Sequence, residues 1–421
     1  MSQHSAAGIA VSSYFQNWDK SKITHIFSPF LRSALPDFSI CNDYRQLNWD
    51  GSISIIDDPS KKIRSNSLKP KSKIKDILAA NPFLQNLGIP LRNLWLGRNR
   101  YSKGLQNELT KIQPEMVYAW PSSKYLAKAI LTACRNLELP LFIHVVDDYV
   151  YKSRRLRKLL NIHFHGADYW LEQIASYSSG RATIGPHMAS EYGYRYGGEW
   201  TWFTTLVSKD DYSAEFQISH YEDNIQIVFM GNIGYDRWKT LKELGEELAR
   251  LSNGGVSVNL HIYASLTDIK LYGEQLAIPG VIDVREWVPS EDLPRILQNA
   301  DILLHVEPTD NSKYIPAIRW SLSTKISQYM MAGRCIMAIG SQSLASMQFI
   351  SESGSGVVLH SIPKQRNKLK EFLGNKSLMR EYGRQARRKA LEYFEAEKQR
   401  DRFRMCMKET IIAHNNRRSG K

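Results

Sequence analysis

The feature that most constrains the fold is a regular alternation of β-rich and helical segments, which begins near residue 224. The segments IQIVFM, VSVNLHIYA, VIDVREWV and DILLHV are rich in the β-branched and aromatic residues that favour strands. Between the first two, WKTLKELGEELARL places Trp238, Leu241, Leu244 and Leu248 on one face of a helix. Strands that alternate with such helices predict a parallel sheet covered by helices.

A second alternating region precedes this one and predicts another α/β domain. Its strand-like segments are ITHIFS, SISIID, MVYAW, LFIHVV and ATIG, and SKYLAKAILTACRNL has a helical pattern. We therefore predict an α/β protein with two Rossmann-like domains, at residues 1–210 and 211–385, followed by a basic C-terminal helix within 386–421. A chain of 421 residues is long enough for two such cores.

The start of the first domain departs from the usual pattern. A Rossmann-like domain opens with an apolar strand that leads into a glycine-containing loop. Here the candidate loop SAAGIAVSS, which contains Gly8, begins almost at Met1. We therefore expect the first strand of this domain to be missing, which would leave its two neighbours with unpaired edges. Residues 59–76 are polar, basic and without periodicity, and they predict a mobile loop.

The net charge of +14 is concentrated in basic clusters of the first half, at 61–75, 92–103 and 152–158. These clusters would face anionic lipid, a diphosphate-linked acceptor or nucleic acid, or they form an ordinary solvated surface. No nucleic-acid recognition module accompanies them. The sequence has no apolar run long enough to span a membrane and no signal peptide, and its four cysteines form no CxxC pair. We expect a cytoplasmic protein that requires no metal.

The sequence GNIG (231–234) marks a candidate anion site. It lies between a predicted strand and a predicted helix, so free backbone N–H groups and the positive end of the helix dipole would meet an anion there. Gly231 and Asn232 would line this loop. Arg237 and Lys239 follow in the first helical turn, where their charges could neutralise a diphosphate. The alternative is that both are ordinary cations on a helix surface.

A second helix start lies near the same predicted edge of the sheet. In STKISQYMMAG, either Ser323 or Thr324 is expected to cap a helix whose first turn carries Lys325 and Gln328. These side chains would point towards the ligand. Lys325 either contributes to a pyrophosphate site or is a solvent-exposed helix lysine.

Polar and aromatic residues also follow the ends of two strands. Trp287 and Val288 end VIDVREWV at the carboxyl edge, where ligands of open α/β sheets bind, although Trp287 could equally pack in the core. In the first domain, LFIHVVDDY places His144, Asp147 and Asp148 at the end of a buried strand. Polar groups there are costly unless they are hydrogen-bonded or functional. Either aspartate could instead cap a helix at YKSRRLRKLL.

A series of motifs extends through the second half in a fixed order: GNIG, LHIYA, GVIDVREWVPSEDLPRILQNADILLHVEP, STKISQYMMAGRCIMAIG and SGSGVVL. The series closely resembles bacterial family 4 glycosyltransferases and their relatives that build surface polysaccharides. The first half resembles these enzymes more loosely, through SAAGIAVSSYFQNW, PEMVYAW, LPLFIHVVDDY and MASEYGYRYG. The resemblance covers most of the chain.

This resemblance implies the GT-B fold, in which two Rossmann-like domains face each other across a cleft and the C-terminal helix packs back on the first. It implies that the second domain holds most of a nucleoside diphosphate sugar, which is the donor substrate. No cofactor or metal is implied, and the sequence has no Asp-x-Asp motif of the kind found in the metal-dependent GT-A class.

The resemblance also implies roles for individual residues. Backbone groups near Trp287 and Val288 would read the base, and Gly8 would allow the backbone to approach the donor phosphates. His144 would hydrogen-bond the donor sugar, and one aspartate of the VVDDY segment would orient the acceptor hydroxyl or act as its base.

One part of the family pattern is absent. The family has a glutamate that contacts the ribose and a second that contacts the donor sugar, on and just before the helix of the STKISQYMMAG segment. The corresponding positions here are Gln328 and Trp320. A glutamine can still bond a hydroxyl, whereas a tryptophan cannot replace a carboxylate.

Taken together, these patterns predict a retaining transferase that moves a sugar from a nucleoside diphosphate sugar to a hydroxyl of a glycan or lipid-linked glycan. Its partners would be the nucleotide sugar, that acceptor and an anionic membrane surface at the inner face of the cell membrane, but no nucleic acid. Two alternatives remain open: a sugar-nucleotide epimerase or hydrolase of the same fold, and a non-catalytic nucleotide- or glycan-binding subunit.

Overall fold

The computed structural model describes residues 6–28, 36–48, 50–57, 99–150, 166–212 and 224–420. The chain divides into two compact units. Unit 1 comprises residues 1–182, 195–200 and 404–421, and unit 2 comprises residues 183–194 and 201–403. The predicted loop at 59–76, the basic clusters at 61–75 and 152–158 and the segment YKSRRLRKLL lie outside the described residues.

Unit 1 contains two sheets and the helices around them. Its elements are α1 (Ala6–Phe15), β1 (Thr24–Phe27), β2 (Asp43–Leu47), β3 (Ile53–Ile56), α2 (Asn99–Ile112), β4 (Val117–Ala119), α3 (Lys124–Asn136), β5 (Leu141–Val145), α4 (Ala167–Tyr177) and β6 (Gly180–Thr183). β1 pairs with β2 in parallel and β2 with β3 in antiparallel orientation. In the second sheet β4 pairs with β5 in parallel, and β6 follows β5. Among the described residues, β1 and β3 are the outer strands of the first sheet.

The N-terminal segment is a helix where the sequence predicted a loop. Gly8 lies inside α1, so its expected place in a phosphate-approaching loop is wrong. Ala10, Val11, Tyr14 and Phe15 are all buried, and their spacing forms one face of a helix. This apolar face packs into the core, and its burial outweighs the low helix propensity of a single glycine.

Unit 2 is built on one parallel sheet of six strands. Its elements are α5 (Pro186–Tyr196), β7 (Thr201–Trp202), β8 (Asn224–Met230), α6 (Arg237–Ser252), β9 (Ser257–Ala264), α7 (Leu266–Leu276), β10 (Ile282–Glu286), α8 (Leu293–Asn299), β11 (Ile302–Val306), α9 (Ile315–Ile318), α10 (Thr324–Met331), β12 (Cys335–Ile339), α11 (Ala345–Glu352), β13 (Gly356–Leu359), α12 (Arg366–Gly374), α13 (Lys376–Tyr393) and α14 (Ala396–Arg418). Residues of α14 from Arg404 onward belong to unit 1, and α5 ends in unit 1 at Arg195 and Tyr196. The strand order is β10-β9-β8-β11-β12-β13, with every neighbouring pair parallel.

The helices cover both faces of this sheet, as the alternating pattern predicts. Leu241, Leu244 and Leu248 of α6 are completely buried against the alternate residues of β8 and β9. Full burial of a leucine side chain stabilises the fold by about 1.5–3 kcal/mol. On the opposite face, α10 and α13 bury Ile326, Met330 and Ala386. The sheet is thus apolar on both sides.

Gly356 tests how tightly β12 and β13 are packed. A Cβ atom at Gly356 would overlap the backbone carbonyl of Ile336 on the neighbouring strand. We expect Gly356→Ala to lower the free energy of unfolding by about 1–3 kcal/mol, because backbone must move to make room. Urea denaturation measures this. The control is Gly374→Ala, where a Cβ meets nothing within 4 Å. Equal stability of the two variants would contradict the packing described.

Candidate functional site

The parallel sheet of unit 2 opens into a crevice between its two central strands. β8 and β11 pair only at Ile227 with Ile302 and at Val228 with Leu303. Beyond that point β8 continues to pair with β9 as far as Met230, and β11 with β12 as far as Val306. The two strands therefore separate at their carboxyl ends. In an open α/β sheet this switch point, where the strand order reverses, is where ligands bind.

The loop after β8 begins with a tightly fixed corner. The N–H of Met230 donates to the hydroxyl of Tyr329 (2.9 Å), and the N–H of Gly231 donates to the carbonyl of Tyr263 (2.9 Å). Gly231 has a φ of 153°. A Cβ on Gly231 would overlap the ammonium of Lys325. Glycine is therefore required both by the backbone conformation and by the close approach of the lysine.

The first turn of α6 does not offer the free N–H groups that the sequence predicted. The N–H groups of Arg237, Trp238 and Lys239 donate to the carbonyls of Gly234 (3.2 Å), Ile233 (2.9 Å) and Asp236 (3.1 Å). The loop folds back onto the helix because Tyr235 and Asp236 are both left-handed, with φ of 55° and 66°. Such conformations cost about 1–3 kcal/mol each in non-glycine residues and cluster at functional sites.

The available N–H groups lie instead in the loop itself. Within the described residues, the N–H groups of 232–236 donate to no backbone carbonyl. Asn232 is exposed and Gly234 is partly exposed, so solvent or a ligand can reach this segment. Successive peptide N–H groups that face outward are typical anion ligands.

Arg237 forms an ion pair that the sequence analysis missed. Its Nε and Nη2 atoms lie 2.9 and 2.7 Å from Oε2 of Glu307, and both side chains are largely buried. Glu307 follows β11 directly; its N–H donates to the carbonyl of Ile339 (2.9 Å), and its carbonyl accepts from the hydroxyl of Thr240 (3.3 Å). The pair fixes the guanidinium at the crevice. A carboxylate directly after DILLHV was the available signal, by the same reasoning that selected His144.

Lys325 and His305 complete a cluster of basic groups at the crevice. The Lys325 residue keeps some exposure, but its ammonium lies against buried Gly231 and 5.7 Å from the ring centroid of Phe229. Burial and the nearby charge of Arg237 lower the pKa of Lys325 to about 8, against the opposing effect of Glu307 and Asp268.

His305 is a buried neutral imidazole. Burial, aided by the charges of Lys325 and Arg237, lowers its pKa to about 3. Its Nε2 atom is buried without a hydrogen-bond partner and lies 3.8 Å from Oε1 of Glu307. A buried polar atom without a partner is rare in a native protein and is compatible with a ligand atom that fills the place.

The other predicted residues of unit 2 are less closely associated with the crevice. Lys239 is exposed and pairs with Asp236 (2.9 Å). Ser323 rather than Thr324 is the N-cap of α10, without a side-chain bond to the helix. Gln328 is partly buried on the same helix. The guanidinium of Arg319 lies over the ring of Trp320, at 5.0 Å from its centroid.

Trp287 and Val288 follow β10 at the outer edge of the sheet. Trp287 is 49% exposed, so it is not the core residue that the alternative interpretation required, whereas Val288 packs against the core. β10 is separated from β8 by β9. The exposed indole is therefore on the β9 side of the loop after β8.

In unit 1 the three predicted polar residues have different surroundings. His144 is completely buried in β5, and its Nδ1 atom lies 2.7 Å from the hydroxyl of Tyr118. Asp147 is reached by solvent, although enough protein surrounds its carboxyl group for desolvation to raise its pKa. Asp148 is buried and pairs with Arg195 at 3.1 Å. This ion pair gives Asp148 a structural role, and the accessible carboxylate is that of Asp147.

The described residues contain no group of three or more His, Cys, Asp or Glu side chains that could hold a metal ion. Among them, no helix combines the length and the apolar character needed to cross a bilayer.

Comparison with known proteins supports the fold. No curated protein sequence matches the chain. Residues 237–403, all in unit 2, match the model of a family described as glycosyl transferase-like. This segment of the chain is therefore glycosyl transferase-like in sequence.

Several solved structures are similar over much of the chain. They include HepE from Anabaena in complex with UDP and glucose (TM-score 0.57, 10% identity, 97% of each chain covered), sucrose-phosphate synthase from Thermosynechococcus elongatus (TM-score 0.54, 12% identity, 75% of this chain and 78% of that chain) and a glycosyltransferase from Rickettsia africae (TM-score 0.53, 11% identity, 82% of this chain and 84% of that chain). HepE has also been solved with UDP-glucose. At these identities the similarity shows the fold, and it confirms the predicted α/β architecture of the GT-B type.

The lowered pKa of Lys325 predicts a pH-dependent stability. The pKa of a lysine in the unfolded chain is about 10.4. Between about pH 8 and that value, the folded protein binds fewer protons at Lys325 than the unfolded chain does, so the folded state gains stability as pH rises. The free energy of unfolding of the wild type minus that of Lys325→Met should therefore rise across this interval, by at most about 1.4 kcal/mol per pH unit. Urea denaturation at pH 7, 8, 9 and 10 measures the difference. A difference that stays constant over this range would contradict the buried ammonium.

The two aspartates of unit 1 should differ in their effect on stability. Asp148→Ala removes the carboxylate that pairs with the largely buried Arg195, and loss of one member of a buried ion pair typically costs about 3–5 kcal/mol. Asp147→Ala, at the adjacent exposed position, should change the free energy of unfolding by about 0.5 kcal/mol or less. Chemical denaturation of both variants tests this. Similar losses in the two would show that Asp147 also carries a structural contact.

Proposed function

We propose that the chain is a glycosyltransferase that binds a nucleoside diphosphate sugar in unit 2 and transfers the sugar to a hydroxyl of a glycan or lipid-linked glycan. The observation that carries this proposal is the set of basic groups, Arg237, Lys325 and His305, at the switch point of a GT-B-type sheet. The glycosyl transferase-like segment contains all three.

The diphosphate is proposed to lie at the crevice between β8 and β11. The N–H groups of 232–236 would bind its oxygens, and the Lys325 ammonium would supply positive charge at Gly231. The binding of an anion would stabilise the charged form of Lys325 and raise its pKa. The Lys325 charge and the loop N–H groups favour an anionic ligand.

Arg237 would stabilise the leaving group. When the bond between the anomeric carbon and the diphosphate oxygen breaks, negative charge grows on that oxygen, and a fixed guanidinium lowers its energy. Glu307 holds the guanidinium from one side through Nε and Nη2, which leaves Nη1 for the ligand. Loss of one such donor costs about a hundredfold or more in rate.

Uridine diphosphate is proposed as the nucleotide. HepE, which shares the fold over nearly its whole length, was solved with UDP, with UDP-glucose and with UDP and glucose. Backbone groups at Trp287 and Val288, at the end of β10, would face the base, as the resemblance to family 4 enzymes implies. The exposure of Trp287 leaves its ring available for that contact.

Unit 1 is proposed to supply the groups that act on the sugar and the acceptor. Asp147 has an accessible carboxyl group with a raised pKa, which suits a residue that orients a hydroxyl and accepts its proton. By resemblance, His144 would hydrogen-bond the donor sugar; its Nδ1 atom lies 2.7 Å from the Tyr118 hydroxyl. By resemblance the transfer retains the anomeric configuration, the product belongs to a surface polysaccharide, and the enzyme works in the cytoplasm at the inner face of the membrane.

A non-catalytic nucleotide-binding subunit is the second candidate. The observation that favours it is the pair Gln328 and Trp320, which stand where the family has two glutamates, with Arg319 stacked on Trp320. Such a protein would bind the nucleotide sugar but would release no nucleotide in the presence of any acceptor.

The first experiment is a thermal-shift panel of nucleoside diphosphates and nucleotide sugars. A ligand that binds only the folded state raises the melting temperature by mass action. We expect UDP and a UDP-sugar to give the largest shifts. Release of UDP with added acceptor separates the transferase from a binding subunit, and conversion of the donor without acceptor would indicate an epimerase or hydrolase.

The double variant Arg237→Met/Glu307→Gln tests the placement of the diphosphate without leaving a buried carboxylate unpaired. We expect UDP to bind at least about tenfold more weakly, because the guanidinium is lost. The matched control is Arg384→Met/Glu381→Gln, the same change in an exposed ion pair of α13. UDP binding that is unchanged in the first variant, measured by calorimetry, would contradict the proposed site.

A further inference from the structure

Tyr235 is an exposed aromatic residue in an uncommon conformation next to the proposed phosphate loop. Its side chain is 51% exposed, and its φ of 55° is rare for a residue with a bulky side chain. The next residue, Asp236, is also left-handed. An exposed ring gains little packing energy that could offset a strained backbone. The left-handed conformation of Tyr235 therefore suggests a function for this residue.

The structure holds this ring in place through contacts with the segment that follows β11. The carboxylate of Asp236 accepts a hydrogen bond from the hydroxyl of Ser312 (2.7 Å) and pairs with Lys239 (2.9 Å). The hydroxyl of Ser312 also accepts from the N–H of Tyr314 (3.3 Å). The rings of Tyr235 and Tyr314 meet edge to face, with centroids 5.1 Å apart and an interplanar angle of 89°.

Both rings are close to positive charge. The guanidinium of Arg237 lies 5.6 Å from the centroid of Tyr235, and the ammonium of Lys313 lies 5.2 Å from that of Tyr314. Arg237 thus connects the aromatic pair to the crevice, because the same guanidinium is bound by Glu307. A ligand whose diphosphate meets Arg237 would present its next chemical group to the tyrosines.

The sheet order decides which group that is. β9 and β10, with Trp287 at the end of β10, lie on one side of β8, and β11, with Tyr314 after it, lies on the other. Neighbouring strands are about 4.8 Å apart, so the indole and Tyr314 lie on opposite sides of the loop at 232–236, which carries Tyr235. If the base lies towards Trp287, the group at the other end of the diphosphate, the sugar, lies towards Tyr235.

We propose that Tyr235 and Tyr314 form a subsite for the donor sugar, in which the apolar C–H face of a pyranose lies on the exposed ring of Tyr235. This inference rests on the proposed function, since it requires that the crevice bind a nucleotide sugar. The negative face of an aromatic ring attracts polarised C–H groups. The contact supplies a sugar interaction in a protein that has Trp320 where the family has a carboxylate.

The test compares the sugar with the nucleotide alone, using UDP, UDP-glucose and the UDP-sugar that gives the largest thermal shift. Tyr235→Ala should weaken binding of the UDP-sugar by about five- to tenfold and leave UDP within about twofold, because only the sugar contacts the ring. Tyr235→Phe should bind the sugar nearly as the wild type does. Tyr194→Ala, which removes a tyrosine that is 90% exposed elsewhere in unit 2, is the matched control and should change neither affinity.

A second variant separates the subsite from effects on folding. Tyr235→Gly relieves the left-handed strain and should raise the melting temperature by a few degrees, while the preference for UDP-sugar over UDP falls. Equal losses for UDP and UDP-sugar, or no loss for either, would overturn the subsite and leave the nucleotide site intact. A wild type that binds no nucleotide would contradict the proposed function as well.

Discussion

The separation of β8 from β11 is the constraint on which the rest of unit 2 depends. Each of the two strands pairs along its full length with an outer neighbour, but they pair with each other at only two positions. The residues beyond those positions cannot form a common ladder. These residues therefore border an opening rather than a continuous sheet. They include Gly231 directly after β8, and His305 and Glu307 at the end of β11.

The electrostatics of this opening follow from burial. Glu307 compensates the charge of Arg237, whereas the Lys325 ammonium has less compensation in a largely buried environment and His305 is neutral. Burial disfavours charge on both groups, so the site at rest carries less positive charge than its composition suggests. An anionic ligand reverses this, because it favours the charged lysine. The left-handed residues of the loop let Ile233 and Gly234 fold onto the first turn of α6, and the N–H groups of 232–236 donate to no backbone carbonyl among the described residues.

Much of the second domain could be predicted from its sequence. The strands IQIVFM and DILLHV and the face formed by Leu241, Leu244 and Leu248 appear where periodicity places them, because the 3.6-residue and two-residue periods are local properties of the chain. The roles of Gly231, Arg237 and Lys325 in binding a phosphate remain predictions, but the structure brings these three residues together. The segment SAAGIAVSS has the glycine of a loop motif, and this pattern predicts a loop at Gly8. The segment is a helix because its apolar face is buried.

The sequence by itself determined the class of fold and the positions of most helices and strands of unit 2. Only the tertiary structure decided the partners of the charged residues: Glu307 pairs with Arg237, 70 positions away in sequence, and Asp148 pairs with Arg195. It also decided that the exposed ring of Tyr235 contacts Tyr314. The reason is physical. Periodicity reports which face of an element is buried, whereas the partner of a charged or strained residue depends on strand order and register, which arise from packing between segments far apart in the chain.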